Sequence, residues 1–164
     1  MECPIARSLE EVGEWWSMLI IRDAFHGLKR FDEFQKSLGV APNILTRRLK
    51  AMVENGLLAR ERYSEHPPRD EYVLTDKGKD LFPVLVSLLA WGNRHVADPS
   101  GPAVVLTDRA SGRAIDPVVC DRATLQPLKP RKVRITPGPS AGPEIKQRVA
   151  RILERAQERT TDHA

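Results

Sequence analysis

The sequence predicts a mainly α-helical protein with a small amount of β-structure, and three patterns support this prediction. Apolar residues recur at helical spacing through much of the first 97 residues. Two short segments of strand character follow the first four helical ones. Proline- and glycine-rich stretches then separate a final amphipathic segment from the rest. We therefore divide the chain into residues 1–97, a linker with a small β-rich C-terminal appendage at 98–139, and a terminal amphipathic helix at 140–164.

Four helices are predicted before the strands. The first begins at Pro4, and the second, Trp15–Phe25, is apolar on most of its faces, as expected for a core helix. The third, Arg30–Leu38, should end at Gly39. A fourth helix is expected over Pro42–Asn55, because a proline suits the first helical turn. Two helices joined by a short glycine-containing turn form the outline of a helix-turn-helix.

A β-hairpin and a long helix should complete residues 1–97. Strands are predicted at Leu57–Tyr63 and Asp70–Leu74, joined by a turn-rich tip at Ser64–Arg69. Such a hairpin after a helix-turn-helix is a wing, so the predicted domain is a winged helix-turn-helix. Thr75 should cap one continuous helix that reaches Val96. Its apolar stripe is wide, and we expect part of it to be buried against a second subunit.

The second half of the chain shows weaker patterns. Short strands are expected at Val104–Thr107, Val118–Cys120 and Lys132–Ile135, with a terminal helix at about Glu144–Arg159. No internal repeat is evident. The basic segment Lys129–Arg134 is suited either to flanking DNA or to plain solvated surface, and the sequence leaves both open.

Composition limits the class of protein. No apolar run approaches the roughly 18 residues of a membrane span, and the chain starts without the basic and apolar regions of a secretory signal, so we expect a cytoplasmic protein with no membrane partner. Cys3 and Cys120 lie far apart and outside any paired-thiol motif, so no disulfide, metal or cofactor is predicted. The net charge of +4 comes entirely from residues 98–164, with 12 basic against 8 acidic residues, because residues 1–97 carry 14 of each. Overall basicity is therefore no evidence for DNA binding, and the local placement of charge must supply it.

The fourth helix carries the candidate DNA-binding face. Leu45, Leu49, Met52 and Val53 form its apolar stripe, and the opposite face combines an amide, a hydroxyl and two cations, which are groups that bond to base edges and phosphates. The predicted wing adds three arginines to the same cationic edge. The candidate DNA-binding residues are Asn43, Thr46, Arg47, Lys50, Arg60, Arg62 and Arg69. The alternative for such a face is ordinary solvated surface.

Residues 3–92 resemble the HxlR family of bacterial winged-helix transcription regulators. The resemblance lies in the joint order and spacing of short stretches, since no single stretch is specific. These stretches are Cys3-Pro4-Ile5, Gly13-Glu14-Trp15-Trp16-Ser17, Leu19-Ile20-Ile21-Arg22-Asp23, Arg30-Phe31-Asp32-Glu33-Phe34, Leu45-Thr46-Arg47-Arg48-Leu49, Pro68-Arg69-Asp70-Glu71-Tyr72, Leu74-Thr75-Asp76-Lys77-Gly78 and Trp91-Gly92.

The resemblance implies a homodimer held by its first and last core helices, a recognition helix at Pro42–Asn55 and a wing at Ser64–Asp70. Glu14 departs from the family, because many relatives have a basic residue there, and this change could alter a phosphate contact. The tail also resembles longer family members in which a small β unit carries cysteines spaced like a zinc ribbon. Ser111 and Ala123 lie near the expected thiol positions and only Cys120 remains, which puts metal binding in doubt.

Cys3 is a candidate sensor of electrophiles or oxidants. It precedes Pro4 at the start of the first helix, where peptide dipoles favour a thiolate, and Arg7 lies one turn later. The resemblance points the same way, since some relatives are thought to sense such compounds through the corresponding cysteine. The alternative is a small apolar side chain that fills the dimer interface.

Three other functions fit the sequence less well than sequence-specific DNA binding. An enzyme is disfavoured because His26, His66, His95 and His163 are scattered, with no nucleophile or carboxylate at motif spacing. A winged helix used only as a protein-interaction module would have little reason to cluster the cations named above. RNA binding ranks lower, since no exposed aromatic platform for stacking bases is evident.

Overall fold

The computed structural model describes residues 3–161, with side chains described as far as residue 156. Elements are numbered along the chain. The helices are α1 (Pro4–Val12), α2 (Trp15–Phe25), α3 (Phe31–Leu38), α4 (Pro42–Glu54), α5 (Asp76–Lys79), α6 (Phe82–His95) and α7 (Pro143–Thr161). The strands are β1 (Leu58–Glu65) and β2 (Pro68–Leu74), and one 3-10 turn spans Pro130–Lys132. The predicted mainly helical winged helix-turn-helix is thereby confirmed.

A single apolar cluster holds α2, α3 and α4 together. Ile20 and Ile21 of α2 and Phe34 of α3 are almost fully buried. Leu45 and Leu49 of α4 meet them at the same spacing that the sequence predicted. The remaining buried members are Val40, Met52, Leu57 and Leu58. Because the apolar stripe of α4 is committed to this core, the opposite face of that helix must point outward.

The turn between α3 and α4 is short because each helix has a suitable end. Gly39 follows α3 with φ of 61°, in the left-handed region that glycine adopts without strain, and its N–H donates to Gln35 O. Pro42 occupies the first turn of α4, where a missing N–H leaves no helical bond unmade. This turn places α4 directly after α3, as a helix-turn-helix requires.

The wing is an antiparallel hairpin whose tip is shorter than predicted. The strands continue to Glu65 and Pro68, which pair with each other, so the connecting turn is His66-Pro67 alone. The prediction of a loop over Ser64–Arg69 was therefore wrong. Proline is tolerated at the first residue of an edge strand, so Pro68 does not prevent β2 from forming.

The helix expected from Thr75 to Val96 is two helices. Thr75 does cap the first, since its Oγ1 accepts from Gly78 N at 3.0 Å, but α5 ends at Lys79 and α6 starts at Phe82. Pro83 explains the break. Its ring has no N–H to donate and collides with the carbonyl four residues earlier, so a helix can begin but not continue through it.

The appendage at 98–139 is less regular than predicted. Within the described residues the strands expected at Val104–Thr107, Val118–Cys120 and Lys132–Ile135 do not form. Single bridges join Asp98 to Gly101, Thr107 to Ala114 and Cys120 to Pro127, and we term the turns closed by the last two the first and second bridged turns. Each bridge closes a turn in which an aspartate carboxylate accepts hydrogen bonds from residues that follow it in the sequence. The missing strands reflect short segments without a neighbouring sheet that would pair their backbone groups.

The two bridged turns follow one pattern, which corrects the expectation that the chain has no internal repeat. In the first, Asp108 Oδ1 accepts from the Ser111 N–H at 2.8 Å and from its hydroxyl at 2.7 Å. In the second, Asp121 accepts from the Ala123 N–H at 3.0 Å and from the Thr124 hydroxyl at 3.1 Å. The matching sequences are Leu106-Thr-Asp-Arg-Ala-Ser-Gly-Arg-Ala-Ile115 and Val119-Cys-Asp-Arg-Ala-Thr-Leu-Gln-Pro-Leu128.

Contacts divide the described residues into two compact units, residues 11–119 and residues 3–10 with 120–161. The first unit contains the winged helix and the first bridged turn. The second contains the start of α1, the second bridged turn and α7, where Val149 is buried. The boundaries predicted near residues 97 and 139 stay predictions.

Gly78 should be intolerant of any side chain. A Cβ there would lie 2.2 Å from Leu57 O and 3.1 Å from Leu74 Cδ2. The Leu57 carbonyl is held by the Thr75 backbone and hydroxyl, both at 3.2 Å, so it cannot move away without breaking those bonds. We expect Gly78→Ala to lower the stability by about 1–3 kcal/mol or more, which corresponds to a melting temperature lower by roughly 4–10 °C.

Calorimetry or thermal circular dichroism measures this effect. Gly138→Ala is the matched control, because a Cβ at Gly138 meets no atom within 4 Å. Equal melting temperatures for the two variants would show that the contact between Gly78 of α5 and Leu57, the residue before β1, is looser than its geometry indicates.

Candidate nucleic-acid interface

The exposed face of α4 presents the four residues predicted to meet DNA. Asn43, Thr46, Arg47 and Lys50 are all exposed, on the side opposite the buried Leu45 and Leu49. They share one face because their positions repeat at helical spacing. An exposed helix face with an amide, a hydroxyl and two cations has the dimensions and chemistry to enter a major groove.

Local contacts distinguish these four side chains. The Thr46 hydroxyl donates to Pro42 O at 2.8 Å, which leaves its oxygen free to accept. Asn43 Oδ1 accepts from the neighbouring Ile44 N–H at 2.9 Å. Lys50 Nζ lies 3.7 Å from Glu54 Oε1, a weak exposed pair. Arg47 makes no ion pair with any carboxylate of the described side chains, so its guanidinium is fully available to a ligand.

The three wing arginines also differ in whether they form ion pairs. Asp70 of β2 receives Arg60 at 2.6 Å and Arg62 at 2.5 Å, and Glu65 lies 3.6 Å from Arg62. The hydrogen bond from Arg62, with the charge of Arg60, lowers the pKa of the Asp70 carboxyl, which therefore stays ionised well below neutral pH. Arg69 is exposed beside this cluster and pairs with no described carboxylate.

The predicted cationic edge is therefore only partly free. Arg47 on α4 and Arg69 on β2 are uncommitted, whereas Arg60 and Arg62 already share a carboxylate. The sequence could not reveal this pairing, because it depends on the strand register that places Arg62 opposite Asp70.

Arg48 is a functional candidate that the sequence reasoning missed. Its side chain is only 12% exposed and pairs with Glu14, the residue that precedes α2. Arg48 lies three residues after Leu45 and four before Met52, so helical spacing alone puts it on the inner face. The ion pair joins α4 to the start of α2. Glu14 is thus occupied within the protein, and it offers no cation to a phosphate.

Arg30 was also missed. Its guanidinium lies 4.5 Å from the centre of the Tyr63 ring on the wing, within the range of a cation–π contact. The backbone N–H groups of Lys29 and Arg30 both donate to Glu33 Oε2, at 2.8 and 2.9 Å, and these bonds lower the pKa of Glu33. The start of α3 is thus fixed beside the wing.

The donor groups of the appendage do not fit a zinc ribbon. Among the described residues no group of three or more His, Cys, Asp or Glu side chains is placed to hold a metal ion. In the two bridged turns the carboxylates of Asp108 and Asp121 already accept from hydroxyl and N–H groups of the same turn. These hydrogen bonds close each turn without a metal, and a zinc site needs four ligands, of which Cys120 alone supplies a thiol.

Cys3 lies at the start of α1 and is partly exposed. Its pKa is lowered by hydrogen bonds from the Ala6 and Ile5 backbone N–H groups, with a further contribution from the charge of Arg148. Arg148 of α7, and not Arg7, is the cation that acts on this thiol. These hydrogen bonds favour the ionised form of the thiol, and a sensing role for Cys3 stays a prediction.

No helix among the described residues combines the length and the apolar character needed to cross a membrane.

Comparisons with known proteins bear on the family of this chain. The model of the HxlR-like helix-turn-helix family matches residues 11–100. An HTH-type transcriptional regulator of Mycobacterium tuberculosis is 40% identical over 136 residues, which cover 82% of this chain and 85% of the relative. The solved structure of a candidate transcription factor of Pseudomonas aeruginosa is 52% identical, covers 89% of this chain and 99% of that chain, and superposes with a TM-score of 0.65.

A third likeness is to the redox regulator HypR in its reduced form. It is 32% identical, covers 57% of this chain and 96% of that chain, and has a TM-score of 0.53. The family match includes α2 to α6 with the wing, and the relatives it resembles are transcription regulators. The chain is therefore a transcription regulator with a helix-turn-helix domain and belongs to the HxlR-like helix-turn-helix family.

Proposed function

We propose that the protein binds a specific double-stranded DNA operator as a homodimer, with α4 in the major groove and the wing beside it. The observation that carries this proposal is the exposed guanidinium of Arg47, which lies among Asn43, Thr46 and Lys50 and has no ion pair with a described carboxylate. An unpaired arginine on an exposed helix suits the bidentate contact with guanine, the commonest specific contact in the major groove.

The side chains divide by role. Arg47 reads a base edge, while Lys50 and Arg69 contact phosphates, which fix register without carrying sequence information. Thr46 and Asn43 add one acceptor and one amide at the same face. Arg60 and Arg62 share their charge with Asp70, so we assign them a smaller part in phosphate binding and a larger one in shaping the wing.

An exposed apolar stripe on α6 supports the dimer. Leu81 and Leu85 pack on the core, whereas Val84, Leu88 and Trp91 are each more than half exposed. These three lie at positions i, i+4 and i+7, on one face of the helix. Ile5 and Leu9 of α1 are likewise 72% and 63% exposed. Apolar faces of this kind are typical of surfaces that a second subunit covers.

Selection of bound duplexes from a random pool, followed by footprinting, tests the proposal. A two-fold dimer should select an inverted repeat whose half-site centres lie about 34–36 Å apart, or a small multiple of that distance. A pool with no enriched sequence, or a single unrepeated half-site, would contradict it. The first outcome would also favour the other reading, a winged helix that serves only as a protein-interaction module.

A second function, sensing of small electrophiles or oxidants through Cys3, is supported by the geometry around that thiol. Two backbone N–H groups and Arg148 lower its pKa, and the side chain is accessible. A thiolate attacks an electrophile such as methylglyoxal far faster than a thiol does. Since α1 carries exposed apolar residues that we assign to the dimer interface, modification at Cys3 changes the spacing of the two recognition helices.

Treatment with methylglyoxal should weaken operator binding by the native chain and leave Cys3→Ser unaffected. Fluorescence anisotropy with the selected operator measures the affinity before and after treatment. Cys120→Ser is the matched control, because Cys120 is exposed in the second bridged turn and should react without consequence for DNA binding. Equal loss in the native chain and in Cys3→Ser would place the sensor elsewhere.

A further inference from the structure

Residues 129–134, which we term the basic arm, are an exposed cationic segment that the winged helix does not use. Lys129, Arg131, Lys132 and Arg134 are all exposed. The 3-10 turn Pro130–Lys132 is the only regular structure among them, and the described chain continues without helix or strand to α7. None of the four cations makes an ion pair with a carboxylate of residues 3–156. The winged helix differs, since most of its exposed cations have acidic neighbours.

The charge around the arm is of one sign. No aspartate or glutamate occurs between Asp121 and Glu144, and that interval holds Arg122 in addition to the arm. The five cations therefore lie in a stretch of 22 residues with no internal counter-charge. Such a stretch creates a positive local potential that a compact neutral surface does not.

Like charges so close together repel one another, and a ligand of opposite charge relieves this repulsion. Four cations within six residues match a polyanion better than a single phosphate group. Prolines at 130, 137, 139 and 143 restrict the backbone, so less conformational entropy is lost when the segment lies along an extended ligand. A nucleic-acid backbone is a polyanion of this kind.

We propose that the basic arm binds the phosphate backbone of the duplex that flanks the operator. This inference rests on the proposed function, because α4 and the wing hold the chain on DNA. Tethering then makes arm binding an intramolecular event at high effective concentration. The arm contributes affinity and salt dependence but no base preference, since phosphate contacts carry no sequence information.

The salt dependence of operator binding tests the proposal. The arm variant carries Arg131→Gln, Lys132→Gln and Arg134→Gln together. Each phosphate contact contributes about 0.9 to the slope of log affinity against log salt, so three lost contacts in each subunit of the dimer should reduce its magnitude by about 5.4. The native dimer should then lose ~40-fold more affinity than the variant for each doubling of salt. Both should select the same operator sequence.

A matched variant controls for bulk charge. Lys146→Gln, Arg151→Gln and Arg155→Gln remove the same number of exposed cations from α7, in the same unit of the chain. This control should keep a slope near the native value. The measurement is repeated on a duplex cut to the operator and on one with about 12 added base pairs on each side. Only the native chain and the control should gain affinity from the flanks.

The outcomes separate the two proposals. If the arm variant keeps the native salt slope, or if both variants lose the same amount of slope, the basic arm does not bind phosphates. Operator binding by α4 would remain supported. Tighter binding of single-stranded RNA than of flanked duplex by the native chain, lost in the arm variant, overturns the assignment to DNA. A native chain that binds no duplex overturns both the arm and the proposed function.

Discussion

Leu88→Glu should leave the protein monomeric at micromolar concentration and lower its affinity for a two-half-site operator by about 100-fold or more. Leu88 is the central member of the exposed stripe on α6, with Val84 one turn before it and Trp91 one turn after. A carboxylate in an apolar contact between subunits must be desolvated without a partner, which disfavours association. A monomer reaches one half-site only, and it loses the gain of 10²–10⁴ that linking two binding events typically provides.

Sedimentation equilibrium gives the oligomeric state, and anisotropy with full and half operators gives the affinity. Val118→Glu is the control, since Val118 is 62% exposed in the appendage and has no place in the α6 stripe. The Leu88→Glu variant should bind the half operator as the native chain does. If it remained dimeric and bound the full operator tightly, the interface would have to lie on another surface.

Helix positions could be predicted from the sequence where local chemistry decides them. The limits of α2 follow from Gly13 before it and Gly27 after it, and α4 starts at Pro42 because proline is suited to a first turn. The buried stripe of α4 was predictable for a similar reason. The spacing of apolar residues by about 3.6 positions is visible in the sequence alone, and it decides which side of the helix faces the core.

Pairings between distant segments were not predictable in this way. The Arg48–Glu14 ion pair joins residues on two helices, and the sharing of Asp70 by Arg60 and Arg62 depends on the register of the hairpin. Both change the interpretation of the candidate site. Of the seven residues proposed from the sequence, five are cations. The structure leaves Arg47 and Arg69 without a described ion pair and pairs the other three, Lys50, Arg60 and Arg62, with a carboxylate.

The structure of the appendage was predicted wrongly for a different reason. Its strands were predicted from β-prone residues, but short isolated segments have no neighbour with which to pair. What shapes it instead is the side chain of an aspartate that accepts from the two or three residues ahead, a local bond typical of this residue. The repeat of that turn is visible in the sequence as Asp-Arg-Ala followed by a residue with a hydroxyl group, at 108–111 and again at 121–124.

Arg47→Ala should weaken binding by about 1–3 kcal/mol, or roughly 5- to 150-fold, for each half-site of the operator, and should relax the preference at one base pair in each half-site. The side chain is exposed and makes no ion pair with a described carboxylate, so the substitution should change the stability by no more than about 0.5 kcal/mol. The loss is therefore one of recognition. Anisotropy against the operator and its single-base variants measures both affinity and preference.

Arg47→Lys separates recognition from charge. Lysine keeps the cation but lacks the planar fork that bonds twice to guanine, so this variant should lose base preference while it retains the native salt slope. Lys50→Ala and Arg69→Ala should behave in the opposite way, with unchanged preference and a slope smaller by about 1.8 each, because the dimer carries two copies of each contact. If Arg47→Lys kept the native preference, the guanidinium would be contacting phosphate, and base reading would fall to Asn43 or Thr46 on the same face of α4.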